Sequence, residues 1–441
     1  MTDVIYDAIV VGAGPAGSAT GILLAEGGAS VLVLDRAAFP RPKMCGEYLS
    51  PETARILDRL SVLEVVDHAG AVPLAGMTIT GPDGSRIVGT YPTSGRWRGY
   101  RDFALAIPRD RLDAILADRL RETPADFRER YRVTDLVVER GSVAGVDALD
   151  PSGRPRRFRS RLVIGADGRN SVVARRLGLV RPHPLRRMAL MTYMSGPSER
   201  ADRGEIYLGP PDYSILNPMA PGRLNVGLVV PLADAVPHRG RLDAFFDARV
   251  ARMPMLRRRL SACRRDAPVA ALGPLAVRVD DPRAGGVLLA GDSAGFYDPF
   301  TGEGIFTALR SAELAADAAR AALAAGDVSA TALAGYAARR RAIFDDKERV
   351  MRALQLVIRH RVVADRVARV LARRPELLDL VMGVVGDFVP PGALLRQYPL
   401  LSLAFTLADA TQRRFRRGGR RRARASDDAR RPFAEESLHV Q

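Results

Sequence analysis

Short uninterrupted apolar runs, each closed by glycines or an acid, recur along this chain. "IYDAIVV", residues 5–11, stops at "GAG", and "ASVLVLD" stops at Asp35. Runs of this length between turn residues predict strands buried on both faces. The segment between them, from the glycines to about Glu26, predicts a helix, so the chain opens with a strand–helix–strand unit. "RLVIGADG" and "GVLLAGDSAG" repeat the run-then-turn pattern much further on. "IPRDRLDAILADRLRE" has a different period. Its Leu112, Ile115, Leu116 and Leu120 share one face of a helix. "YRVTDLVVERGSVAGVDAL" predicts two strands joined by a turn at Gly141 and Ser142. The stretches from about Pro73 to Ile107 and from about Pro184 to Leu275 are strand-like with Pro and Gly punctuation, and predict a second sheet. A helix is expected from Gly304 to Ala325, and the pattern stays helical to about Ala410.

These elements predict an α/β fold: a Rossmann-like nucleotide-binding domain interrupted by a mixed or antiparallel sheet domain, with C-terminal helices. The nucleotide domain takes residues 1–73, 108–183 and 276–330. The sheet domain takes 74–107 and 184–275. A helical region, 331–410, and a tail, 411–441, complete the 441 residues. Apolar residues make up 47% and charged residues 27%, the balance of a soluble globular protein. No uncharged apolar run reaches the roughly 18 residues of a membrane span. The start, "MTDVIYDAIVVGAG", lacks the features of a signal peptide. Two cysteines, Cys45 and Cys263, make no disulfide framework. A cytoplasmic location is expected.

The formal net charge of +17 is partly local, with ten arginines between Arg413 and Arg431. Such a segment reads as a solvated, disordered appendage, or as a contact to anionic lipid or nucleic acid. No zinc-ligand spacing or interleaved aromatic pattern supports nucleic acid. "YPLLSLAFTLADATQRRFRR", from Tyr398, reads either as a core helix with a basic end or as a helix lying on the inner face of a membrane.

Gly12, Gly14 and Gly17 in "GAGPAG" have GxGxxG spacing after a strand and before a helix. The first allows a tight turn, the second lets the backbone approach a pyrophosphate, and the third lets helix and strand pack closely. Pro15 and Ala16 begin a helix whose free N–H groups face the phosphates. Asp35, followed by Arg36, ends the next strand, where an acid binds ribose hydroxyls. Two later segments point to a flavin dinucleotide. Asp167 lies in "GADGRNS"; Gly291, Asp292, Pro299, Gly302, Gly304 and Ile305 lie in "LLAGDSAGFYDPFTGEGI". Strand-end acids can bind ribityl hydroxyls, and a helix N-terminus after Gly302 can stabilise negative charge on a reduced ring.

As a set, these segments resemble the FAD-binding fold of para-hydroxybenzoate hydroxylase and its relatives. Within that superfamily "RPKMCGEYLSPE", residues 41–52, and "PELLDLVMGVVGDFVP", residues 375–390, are similar to the geranylgeranyl reductase family. The resemblance implies FAD as cofactor and a sheet domain over the flavin's reactive face. Gly12, Gly14, Gly17 and Asp35 would hold the ADP half. Asp292 would bind the ribityl chain, Arg109 would reach the cofactor's polar side, and Asp167 would organise the FAD fold. Gly302, Gly304 and Ile305 would line the ring. Lys43, Cys45 and Gly46 sit in the loop laid beside it. One departure concerns substrate. The family's Tyr-x-Trp-x-Phe-Pro segment reads "DYSILNP" here, with Ile215 and Asn217 in place of Trp and Phe.

Two chemistries remain open. NADPH or NADH, bound transiently, would reduce the flavin; the chain then either reduces a C=C bond of an isoprenoid- or polyketide-like substrate or hydroxylates or epoxidises an aromatic, polyketide or isoprenoid substrate with oxygen activated on the flavin. Cys45, Glu47 and Tyr213 are the candidate proton donors. Cys45 is alternatively an apolar filler or a redox-sensitive thiol. Ser50-Pro51-Glu52 reads as the cap and first turn of the next helix. Electron transfer to a quinone and non-catalytic flavin binding are further alternatives. Trp97 is the one tryptophan, which disfavours the Trp-rich chemistry of flavin halogenases. No metal site is expected.

Overall fold

A computed structural model describes residues 4–92, 97–197 and 202–397. The opening unit is Ile5–Val11, Pro15–Glu26 and Val31–Asp35. Its helix is apolar all round, and residues 15–25 are all buried. It is therefore a core helix, packed against Arg109–Arg121 and Gly304–Ala325.

The first sheet has seven strands. Ile5–Val11 pairs in parallel with Val31–Asp35 and with Pro155–Gly165, and Val287–Leu289 adds in parallel beyond it. Asp126–Glu129 closes one edge in parallel. The antiparallel hairpin of Arg132–Glu139 and Ser142–Leu149 forms the other. The parallel strands end at Gly12, Asp35, Ala166 and Ala290. They gather their following turns on one side, where a doubly wound sheet binds its ligand.

The second sheet has eight strands. Its main path is Arg264–Arg265, Arg187–Ser195, Arg223–Pro231, Asp212–Ala220, Arg203–Gly209, Gly76–Thr80 and Arg86–Thr90, and Ala270–Leu272 also pairs with Arg187–Ser195. Arg203–Gly209 and Gly76–Thr80 run parallel, so the sheet is mixed. Alternation along Arg187–Ser195 separates two faces. Met188, Leu190 and Met194 pack into one apolar cluster, and Ala189, Met191 and Tyr193 turn to another.

The strand-like reading of 184–275 is incomplete. Leu232–Ala235, Leu242–Ala251 and Pro254–Leu260 are helices. Phe245, Phe246, Val250, Met253, Leu256 and Leu260 close over Leu190, Val226, Leu228 and Val230 on the sheet's outer face. An apolar face of that size has to be covered, and these helices cover it. The helix expected to start at Ser50–Glu52 starts at Thr53, whose N–H donates to Ser50 O at 2.9 Å.

After Gly304–Ala325 come helices Ala330–Arg359, Arg361–Arg373, Pro375–Val385 and Pro391–Gln397. The helix expected from Tyr398 and the basic tail lie outside the described residues. No helix of the described residues is long and apolar enough to cross a membrane.

Candidate active site

A cavity of about 1250 Å³ is lined both by the turns of the first sheet and by the inner face of the second. A site for one small ligand has roughly 300–1000 Å³, so this one has room for a large cofactor and a substrate together.

One end is built from the turn at Gly12. Gly12 has φ +96, and a Cβ there would lie 2.6 Å from the Ala166 carbonyl oxygen. Only glycine fits. A Cβ on Gly17 would lie 1.7 Å from the Gly12 carbonyl oxygen, so Gly17 serves the close packing of helix on strand and does not line the cavity. Gly14, Pro15 and Ala16 do line it, and a Cβ on Gly14 would meet nothing nearer than an Arg41 nitrogen at 3.6 Å. That open cradle at a helix start is what a pyrophosphate needs. Asp35 accepts from Ala13 N at 2.7 Å and Ala37 N at 2.8 Å, which fixes its carboxylate at the cavity wall beside Arg36.

The middle of the cavity is rich in cations. Arg36, Arg41, Lys43, Arg109 and Arg169 line it, along with the acids Asp167 and Asp292. Desolvation at the cavity wall pushes the partly exposed Lys43 ammonium down, and the charges of Arg109, Arg41 and Arg36 push it further, against the pull of Asp292. Burial pushes Asp292 up, while Lys43, Arg109 and Arg169 hold it down. An anionic group entering here relieves the crowding of like charges. Asp167 accepts from Val172 N at 2.6 Å through Oδ2, while Oδ1 is buried without a partner. An orphaned acceptor on the cavity wall suits a hydroxyl donor. Gly291, Pro299, Gly302, Gly304 and Ile305 complete this part at the start of the Gly304–Ala325 helix. Glu303 turns away from the cavity to Lys347, 2.5 Å distant, and Lys347 also pairs with Asp387. The features of an FAD site are thus met by the residues present.

The loop Arg41–Tyr48 forms one wall. Glu47 is 1% exposed. Its carboxylate accepts from Tyr193 OH at 2.6 Å and Arg109 N at 2.9 Å through Oε1, and from Asn225 Nδ2 at 2.8 Å through Oε2. Burial pushes this carboxyl up, and those three donors pull it back down. The Glu47 N–H donates to Cys45 Sγ at 3.3 Å. The Arg109 guanidinium, doubly bonded to Asp113 at 2.8 Å, is a close electrostatic neighbour of the same sulfur.

Beyond Cys45 the lining turns apolar: Met77, Met191, Ile215, Val229, Leu272, Leu275, Phe296 and Phe300. Tyr213 does not line the cavity, which corrects its reading as a proton donor. It shares a sheet face with Ile215 and Asn217 but lies beneath Phe300, ring centroids 5.0 Å apart, and its hydroxyl donates to Asp298 Oδ1 at 2.6 Å. Burial and the Asp298 charge drive its pKa well above 10. It has no route to a substrate. Tyr193, Asn225, Arg41 and Arg169 belong to the site and were not expected from motifs. Strand alternation in "RMALMTYMS" and "RLNVGLVVP" is the signal that could have found the first two. Among the described residues no cluster suited to a metal ion is present.

Residues 5–350 match the FAD binding domain family. A digeranylgeranylglycerophospholipid reductase of Methanoculleus marisnigri is 31% identical over 344 residues, 76% of this chain and 82% of that one. The fold is shared with a geranylgeranyl bacteriochlorophyll reductase-like protein of Thermoplasma acidophilum, with TM-score 0.67 and 24% identity over 89% of this chain and 96% of the other. It is shared too with a myxobacterial chondrochloren halogenase, with TM-score 0.73 and 24% identity over 79% and 82%.

Proposed function

The chain belongs to the FAD-binding domain family and is a geranylgeranyl reductase-like FAD-dependent oxidoreductase, and from that premise we propose that it reduces a C=C bond of a hydrophobic, isoprenoid- or polyketide-like substrate. NADPH or NADH is the proposed reductant, bound transiently because the sequence has a single GxGxxG segment. The observation that carries the reading is one continuous cavity in which the Cys45 loop stands between a cationic, dinucleotide-shaped end and an apolar end.

FAD, when bound, supplies the hydride chemistry. The chain's residues bind, orient and protonate. Gly12, Gly14, Pro15 and Ala16 would receive the pyrophosphate, with Arg36, Arg41, Lys43 and Arg169 balancing its charge. Asp35, Asp167 and Asp292 would accept from sugar and ribityl hydroxyls. Gly302, Gly304 and Ile305, at a helix start on the cavity wall, would hold the ring. Met191, Ile215, Leu272 and Leu275 exclude water around the alkene. Cys45, on the cavity wall, would give its thiol proton to a carbon of the substrate alkene. The thiolate left behind, beside the Arg109 guanidinium, regains its proton from solvent.

Incubating the FAD-loaded protein under argon with NADPH and a geranylgeranyl lipid tests this. The expected product carries two added hydrogens per reduced bond, with matching NADPH consumption. A second reading, monooxygenation, is favoured by Ile215 and Asn217 standing where the family has Trp and Phe. It predicts no product under argon and incorporation of labelled oxygen in air.

A further inference from the structure

Paired residues on neighbouring strands place side chains side by side, so a sheet face is laid out in rows. The register aligns Met191, Gly227 and Ile215 in one row of the cavity face, and Tyr193, Asn225 and Asn217 in the next. The first row is apolar. The second is polar yet buried, with Asn217 2% and Asn225 4% exposed. Polar groups buried at an apolar wall are costly unless their bonds are made.

All three give their donors to one three-residue stretch. Asn225 Nδ2 donates to Cys45 O at 3.0 Å and to Glu47 Oε2 at 2.8 Å. Asn217 Nδ2 donates to Gly46 O at 2.7 Å, and Tyr193 OH to Glu47 Oε1 at 2.6 Å. From the opposite side Arg109 N, the first of its helix, donates to Glu47 Oε1 at 2.9 Å. Glu47 has φ 59, a left-handed conformation that a non-glycine residue keeps only where its surroundings impose it. That conformation turns its N–H back to Cys45 Sγ at 3.3 Å.

The geometry points to Tyr193, Asn225 and Asn217 as positioning residues through which the substrate sheet grips Cys45–Glu47 and aims the thiol into the cavity. This deepens the reductase reading and rests on it. The sheet that shapes the substrate compartment thereby also sets the proton donor. A change of substrate position that moves the sheet moves the thiol with it.

The test is alkylation of Cys45 by iodoacetamide in the FAD-loaded protein, followed by peptide mass spectrometry, with Cys263 as internal control. It needs no substrate, so its outcome is independent of whether ene reduction occurs. Asn225→Leu and Tyr193→Phe should each change the Cys45 rate by about five- to tenfold, the worth of one or two hydrogen bonds, and leave Cys263 unchanged. The pH profile should move as well. The titratable groups facing Glu47 are Tyr193, Arg109 and Cys45, and Lys43 lies in the same loop. Each variant removes a donor that holds the Glu47 carboxyl down, so its inflection in the Cys45 profile shifts to higher pH. General loosening would accelerate both cysteines and shift no inflection. Unchanged Cys45 rate and profile, or equal acceleration of both cysteines, overturns the proposal. Should Asn225→Leu fail to fold, Asn217→Ser, which removes only the bond to Gly46, is read by the two alkylation rates alone: a changed Cys45 rate with Cys263 unchanged is expected, and an unchanged Cys45 rate or equal acceleration of both overturns the proposal.

Discussion

Replacing Asp298 by asparagine removes a buried charge from the base of the Pro299–Gly304 turn. Asp298 is 3% exposed, and its Oδ1 accepts from Tyr213 OH at 2.6 Å and Phe300 N at 3.1 Å. Burial raises its carboxyl from 3.8 to about 6, against the pull of Tyr213, Arg187, Phe300 N–H and Gln355. Between those two pH values the folded chain keeps a proton that the unfolded chain has lost. Stability therefore falls as pH rises through the window, by about 3 kcal/mol in all. An asparagine accepts the same two hydrogen bonds through its amide oxygen and does not titrate. Urea unfolding of the two proteins at saturating FAD, followed by far-UV circular dichroism from pH 4 to pH 8, measures the difference. Asp298→Asn should gain on the parent as pH rises, by about 2–3 kcal/mol across that range. Parallel pH dependences of the two proteins would refute the reasoning, since the carboxyl would then titrate alike in both states.

Three further outcomes are expected. Cys45→Ser should keep the visible spectrum of bound FAD and lose turnover by about 10²–10⁴-fold, the usual worth of a positioned general acid; undiminished turnover in steady-state assays would make Cys45 a filler. Gly14→Val should fold with an unchanged circular dichroism spectrum yet purify colourless, because its side chain enters the open cradle at the helix start. Lys347→Met leaves the buried Asp387 and the partly exposed Glu303 without their shared cation, and should lower stability by about 3 kcal/mol, read as a fall in Tm.

The parallel strands, their turns and the helix from Gly304 were legible because local apolar runs and glycine spacing dictate them. Gly12, Asp35, Asp167 and Asp292 lie far apart in sequence, yet each ends a strand of the same sheet and so faces the same cavity. Tyr213 was misread for a physical reason. Alternation identifies the face on which a side chain lies, but Phe300, from a distant turn, decides that this one is covered. Strand alternation could have put Tyr193 and Asn225 on the cavity face, but their role depends on cross-strand register, which no single segment encodes. The helices around Phe245 and Leu256 had a helical spacing, but the need to cover the sheet's outer face emerges only once the sheet exists.

The central claim is that reduced flavin in this protein returns its electrons to an alkene. Stopped-flow absorbance tests it most directly: the protein is reduced anaerobically, freed of excess reductant, and mixed with a geranylgeranyl lipid without oxygen. Return of the oxidised flavin's yellow absorbance, faster than in a lipid-free control and with a saturated product, is the predicted result. Flavin that stays reduced with the lipid and recovers only on admitting oxygen would contradict it.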